Sequence, residues 1–411
     1  MIKKLFITVF YCCSLSICTY AQVEETKSFG IKFTGFIKND FFFDTRQTVA
    51  VREGNFLLYP ADKFQDEEGN DINARSNFNF LSIQSRLAGN VTGPDAFGAK
   101  TTGLLEGAFC GQSDTDINGF RLRHAMVKLN WTNTELLIGQ YWHMMFITGC
   151  FPATISFNTG APFQFFSRNP QIRLTHKIGK LSMAGMVASQ RDFSNPGGCT
   201  SMRNSKLPDL QAQITYTEGN VFAGITAGYK QLFPRLYTDS LYKATSSIGG
   251  FNGQAFLKIT TTPVTLKLQT TYLQNGYDGL AIGGYAIEKI TDPSKDYREY
   301  TSINNINFWA DLHTNNKIVQ LGLFTGYTQN LGSAETLEDV SKISLYSRGW
   351  NIASLYRVSP RIMVNSGKTS FAFEFEHTGA AYGSHVNNEG IPQDLHMVVN
   401  NRFLLGAYYF F

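Results

Sequence analysis

The residues of this chain that could do chemistry are charges spaced two apart. Near the start, Lys32, Lys38, Asp40 and Asp44 share one phase with Thr34, while Ile31, Phe33, Ile37, Phe41 and Phe43 hold the other. Successive strand side chains point to opposite faces, so such a segment carries its charges on one side and its apolar groups on the other. Carried along the chain, this phase rule puts ten bases on the polar side: Lys32, Lys38, Arg86, Lys100, Lys128, Arg173, Lys258, Lys267, Arg357 and Arg402. It puts six acids there: Asp40, Asp44, Glu106, Asp311, Glu374 and Glu376. Charges arrayed in this way make and break no bonds; they act by field on ions that pass them. Bases outnumber acids, which predicts a lean towards anions. Each single charge has an equally ordinary reading as the partner of another across the interior.

Bond-making chemistry finds less support. A hydrolase at a membrane interface needs a nucleophile, a histidine and an orienting group within hydrogen-bond reach. His377 falls on the apolar phase near one rim, but no serine shares its level on its own strand. His124 and His313 fall on the polar phase, where a lone polar side chain is ordinary. No glycine-rich phosphate loop follows a strand, and no nucleophile elbow occurs. No CxxC or paired-histidine spacing points to a metal. The reading is a protein that is not an enzyme and holds no metal or cofactor.

The elements that must position these charges are strands. Leu81, Ile83, Leu87 and Val91 oppose Ser82, Gln84, Arg86 and Asn90. Val264, Leu266, Leu268 and Tyr272 oppose Thr265, Lys267, Gln269 and Thr271. Phe371, Phe373 and Phe375 oppose Glu374 and Glu376. A soluble sandwich alternates likewise, so periodicity alone does not separate it from a barrel in lipid. Connection lengths do. Short turn signals stand at Gly93-Pro94-Asp95, Thr132-Asn133-Thr134, Gly179-Lys180, Glu218-Gly219, Thr261-Thr262-Pro263, Asn315-Asn316 and near Pro360 to Lys368. Between them lie long segments at about 45–77, 143–169, 192–208, 274–304 and 329–348. Transmembrane barrels pair short periplasmic turns with long outer loops. Seven short turns and eight outer connections give about 16 strands, with both termini on the periplasmic side. The fold class is therefore all-β: a transmembrane antiparallel β-barrel with long extracellular loops, occupying residues 22–411 as one domain.

Composition agrees. Phe and Tyr number 34 and 19, enough for aromatic girdles at both membrane interfaces. The chain closes on a strand of alternating aromatics, with Tyr409 and Phe411 as the signal that barrel-assembly machinery is expected to read. Segment 143–170 is long, aromatic and poor in charge, and contains Phe151, Asn158, Phe163, Phe165 and Arg168. A polar outer loop has no use for so many aromatics, so this segment is expected to fold into the barrel as a constriction loop. Packing against a neighbouring protomer is the alternative. Arg121 and Arg123 share a phase with Ala125, Val127, Leu129 and Trp131, which reads as outward. A charge there at mid-bilayer costs roughly 2–4 kcal/mol. Either they sit above the apolar band or a bulge turns them inward.

The first 21 residues read as a cleaved secretory signal. Lys3 and Lys4 precede an apolar run from Leu5 to Ile17, and Thr19-Tyr20-Ala21 supplies the cleavage site. Without Lys3 and Lys4, 34 basic residues face 32 acidic ones, which does not suggest nucleic acid as a partner. Cys110, Cys150 and Cys199 remain after cleavage, too few for a disulfide framework. A single bridge between Cys150 and Cys199 stays open at this point.

Several stretches resemble the DcaP-like porin family and related Bacteroidota outer-membrane porins. They are Gly35-Phe36-Ile37-Lys38-Asn39-Asp40, Ser85-Arg86-Leu87, Thr92-Gly93-Pro94-Asp95-Ala96-Phe97-Gly98-Ala99-Lys100-Thr101, Arg121-Leu122-Arg123-His124-Ala125, Ile138-Gly139-Gln140-Tyr141-Trp142-His143 and the closing Tyr408-Tyr409-Phe410-Phe411. Each motif alone is weak, and their order is more specific. The resemblance implies a 16-stranded, trimeric diffusion channel that prefers small negatively charged solutes. Some family members carry an N-terminal helical segment that bundles the trimer; here only Gln22 to Lys27 precede the first strand, so a homotrimer is expected to rest on wall contacts. The expectation is an outer-membrane porin surrounded by lipid. Its rival from another class is a non-transport barrel that works as receptor, adhesin or assembly component through its outer loops.

Overall fold

The computed structural model describes residues 29–111, 113–190 and 198–411. The signal segment 1–21 lies outside the described residues. Sixteen wall strands close on themselves. In chain order they are β1 (Gly30–Asp44), β2 (Asn77–Leu81 and, after a break, Arg86–Thr92), β3 (Lys100–Ala108), β4 (Arg121–Asn130), β5 (Thr134–Trp142), β6 (Arg168–Ile178), β7 (Leu181–Ala188) and β8 (Asp209–Glu218). There follow β9 (Val221–Leu232), β10 (Ile248–Thr260), β11 (Val264–Gln274), β12 (Tyr297–Thr314), β13 (Val319–Ser333), β14 (Ile352–Ser366), β15 (Thr369–Val386) and β16 (Pro392–Phe410). Each pairs antiparallel with its successor. The last strand returns to the first, with Phe36 opposite Phe410 and Asp44 opposite Arg402. Closure leaves no wall edge to pair with another chain. The seven short turns of the sequence all fall at one end, and that end also holds Gly30 and Phe411.

The side chains are arranged inside out. In β1, Phe33 is 62% exposed and Ile37 50%, while Lys38, Asp40 and Asp44 are 0% exposed. The same holds in β15 and β16, where Phe371, Phe373, Phe403 and Leu405 face outward and Glu374, Glu376, Asn400 and Arg402 are enclosed. A soluble protein buries its apolar face; here the apolar side chains form a continuous outer surface far larger than any water-facing patch. Alternation alone left the choice open, and burial makes it.

The chain departs from strict periodicity at two places that matter. β2 is not one strand. Ser85 N–H and Oγ both reach the Ser82 carbonyl, at 3.3 and 2.9 Å, and this turn interrupts the ladder. Before the break Phe78 and Phe80 face outward; after it Leu87 does. The phase has slipped by one, so Ile83, expected outside, is buried within. The second departure is a bulge: Glu106 pairs with His124, but Gly107 pairs with Leu122. Arg123 is the extra residue. Beyond the wall, the expected loops at 274–304 and 329–348 are partly strand. Gly283–Asp292 pairs with the outer half of β12, and Tyr285, Ile287 and Tyr300 form a small core there with Met202, Leu232 and Ile248.

Candidate functional site in the barrel interior

Two segments fold into the barrel. The first is a hairpin of Thr48–Val51 and Phe56–Pro60, whose second strand is completely buried. The second is 143–167. It leaves β5, passes inside the walls from β9 to β15 and returns to β6. Its backbone is gripped at successive wall strands. Lys267 donates to the Phe151 carbonyl at 2.9 Å, and Asp311 accepts from Ala153 N–H at 3.2 Å. Glu374 accepts from Ile155 N–H, while Lys38 Nζ donates to the Ile155 carbonyl at 2.6 Å. Asn158 Nδ2 donates to Glu376 at 2.9 Å. Phe56 packs edge-on to Phe157 and Phe166, so the two insertions share one apolar core. Glycines make room, Gly326 on β13 and Gly279 in the turn that follows β11. A Cβ at Gly326 would stand 2.5 Å from the Phe163 ring, and one at Gly279 would stand 2.2 Å from Phe165.

The interior charges divide into two populations. On β12, on β14 to β16 and on the upper half of β1 they neutralise one another beneath the insertions. Arg402 binds Asp44 in a fork at 2.9 and 2.7 Å and donates to the Gly54 carbonyl at 2.7 Å. Arg357 donates to the Leu58 carbonyl at 2.7 Å and the Ala161 carbonyl at 2.9 Å, and lies 3.5 Å from Glu376. Lys38 meets Asp40 at 3.0 Å, and Arg361 meets Asp311 at 2.8 Å. All of these groups are buried. Pairing is what makes such burial tolerable, because an isolated ion would keep its full desolvation cost.

The other population lies on β2 to β7 and the lower half of β1. Lys32 and Lys100 are exposed, and Arg86, Lys128 and Arg173 are half-buried. The bulge turns Arg123 inward, beside His124, so the two consecutive side chains share the interior. Its guanidinium meets Glu106, yet among the described residues Nη1 and Nη2 find no acceptor, and neither does Arg86 Nε. Arg168 lies over the Trp142 ring at 5.3 Å, and Arg123 over the same ring at 5.7 Å. Lys128 pairs with Glu135 at 2.9 Å. Among the described residues, the inward carboxylates of β2 to β7 are Glu106 and Glu135, against nine bases when Lys32 is counted: Lys32, Arg86, Lys100, Arg121, Arg123, Lys128, Arg168, Arg173 and Lys177.

The residues singled out in the sequence therefore part company. Lys32, Arg86, Lys100, Lys128, Arg173 and Glu106 stand on the basic wall. Lys38, Arg357, Arg402, Asp40, Asp44, Asp311, Glu374 and Glu376 face inward and are covered by the inserted loop and hairpin. Lys258 and Lys267 flank the loop on β10 and β11. Of the loop residues, Asn158, Phe163, Phe165 and Arg168 are buried and Phe151 is half-buried. Tyr409 and Phe411 face outward, and the Phe411 N–H donates to the Gly35 carbonyl at 3.1 Å. Cys150 is unbridged, its thiol 3.6 Å from the Leu257 carbonyl. His377 sits on the outer face between Tyr356 Oη at 3.1 Å and Asn401 Oδ1 at 2.7 Å, with both ring nitrogens engaged. Among the described residues no three potential metal ligands converge. Sequence reasoning missed the hairpin and the fork of Arg402 on Asp44; its one available signal was the apolar run Phe56-Leu57-Leu58-Tyr59 inside an otherwise polar segment.

By sequence, no family model and no curated protein matches the chain. By structure, the chain is similar to outer-membrane barrels along almost all of its length. The outer membrane channel DcaP of Acinetobacter baumannii superposes with a TM-score of 0.69 at 16% identity, covering 95% of this chain and 100% of that one. An anion-selective porin from Comamonas acidovorans gives 0.55 at 10% identity, covering 93% and 100%. OmpT of Vibrio cholerae in its trimer form gives 0.56 at 9% identity, covering 94% and 100%. At these identities the likeness defines the fold: a closed 16-stranded barrel of the outer-membrane porin type.

Proposed function

We propose that this chain is an outer-membrane porin through which small polar solutes diffuse passively, anions in preference to cations. The observation that carries the reading is the division of the interior charge. One side is neutralised and sealed beneath the insertions; the other keeps nine bases against two carboxylates. A wall of one sign raises the local concentration of opposite ions and speeds their entry. The passage follows that wall, between β1 to β7 and the inserted loop 143–167, which narrows it. Lipid covers the outer apolar band, and the terminal strand with Tyr409 and Phe411 serves assembly into the membrane. Association of three copies is supported by the trimer form among the similar structures.

Liposome swelling tests this. Proteoliposomes should swell in small monoanions and neutral polar solutes, faster in the anions. Changing Arg86, Arg123 and Arg173 together to Gln should reduce the anion rate and leave the neutral rate within about twofold. One observation favours a second reading: the insertions bury a large share of the interior, as in a barrel whose outer loops do the work. Absence of swelling in every solute would decide for that receptor-like reading.

A further inference from the structure

We infer that His143 and Asp209 form the bolt that holds the inserted loop in place, and so act as positioning residues for the passage. This rests on the reading of 143–167 as the element that narrows the channel. His143 is the first residue after β5. Its N–H donates to the Ser167 carbonyl at 3.0 Å, which closes the neck where the loop leaves and re-enters the wall. Its side chain then reaches past β6 and β7 to the first residue of β8. There Nε2 lies 3.0 Å from Asp209 Oδ2, with both side chains almost fully enclosed.

The tautomer follows from the other nitrogen. Met145 N–H donates to His143 Nδ1 at 3.2 Å, so Nδ1 is the acceptor and Nε2 carries the proton given to Asp209. One imidazole thus ties the start of the loop to itself and to a strand three places round the barrel. Gln211 Nε2 donates to Asp209 Oδ1 at 2.7 Å and fixes the carboxylate. Gln213 adds a bond to the Met144 carbonyl at 3.3 Å. The grips farther along the loop fasten its tip; His143 and Asp209 fasten its neck, where a small rotation would swing the whole insertion.

Single-channel recording of the full barrel in planar bilayers tests the bolt. His143→Ala should loosen the neck, so that brief excursions to higher conductance occur at least about tenfold more often than in the wild type, as expected for loss of a buried hydrogen bond to a charged group. His143→Gln keeps an N–H for Asp209 and an oxygen for Met145, and should restore quiet openings; a merely space-filling role would not show this rescue. Should His143→Ala not assemble, Asp209→Ala breaks the same bond from the strand side and is read in its place. Openings as quiet as the wild type in the alanine variant, or equal noise in the Gln and Ala variants, would overturn the inference while leaving the porin reading intact. A wild-type barrel that passes no current would remove the porin reading and the bolt with it.

Discussion

Arg402 and Arg86 both stand on the polar phase of their strands, and they do different work. Arg402 is enclosed with Asp44 and holds the hairpin at Gly54. Replacing it with Met leaves a buried carboxylate without its partner, and should cost about 3–5 kcal/mol in the urea unfolding of the detergent-refolded barrel. Arg86 is half-buried, its Nε without an acceptor among the described residues, over the Phe36 ring at 5.1 Å. Arg86→Gln should shift the same transition by no more than about 0.5 kcal/mol. The sequence showed that both side chains point inward, because alternation is a local property of the backbone. It did not show which would be capped, because that depends on two insertions arriving from distant segments. Arg123 marks the same limit: its phase read as outward, and one extra residue in β4 reversed it.

At the scale of elements, turn chemistry was the most legible signal. Pro, Gly and Asn at the seven short turns fix where strands reverse, independently of anything far away. The slip within β2 was hidden, since Ser82 to Ser85 look like an ordinary stretch of alternating strand. The outer extensions were hidden for another reason: polar segments become strands when a neighbour supplies a ladder, as β12 does for Gly283–Asp292. These outer elements carry a latch of their own. Asp296 accepts from Arg235 Nη1 at 2.6 Å and from Arg298 Nε at 2.7 Å. Burial pushes its carboxyl up, but these bonds more than offset that and bring it from 3.8 down to about 2. The folded value lies below the unfolded one, so the latch's stabilising effect is complete above 3.8 and is lost as the pH falls towards about 2. Resistance of the outer loops to an acid protease should therefore persist at pH 5 and fail between those two values. The inserted loop gives a further test: replacing its tip with a short Gly-Ser link should enlarge the conductance and keep the barrel folded, since the sixteen strands close without it.

Over the whole molecule the account depends on inversion. Aromatic and aliphatic side chains make the outer surface, while the charges lie within; the same sequence placed in water would expose what it should bury. Alternation announced two faces but not which lay inside; burial of Lys38, Asp40, Asp44, Glu374 and Arg402 settles that. The unevenness of the interior charge then gives the barrel a preference.

Reversal potential under a potassium chloride gradient across a planar bilayer tests this claim most directly. The account predicts stepwise currents whose reversal potential lies on the chloride side of zero, moving towards zero when Arg86, Arg123 and Arg173 are changed to Gln. Currents that favour potassium, or a reversal potential that ignores those three substitutions, would contradict it.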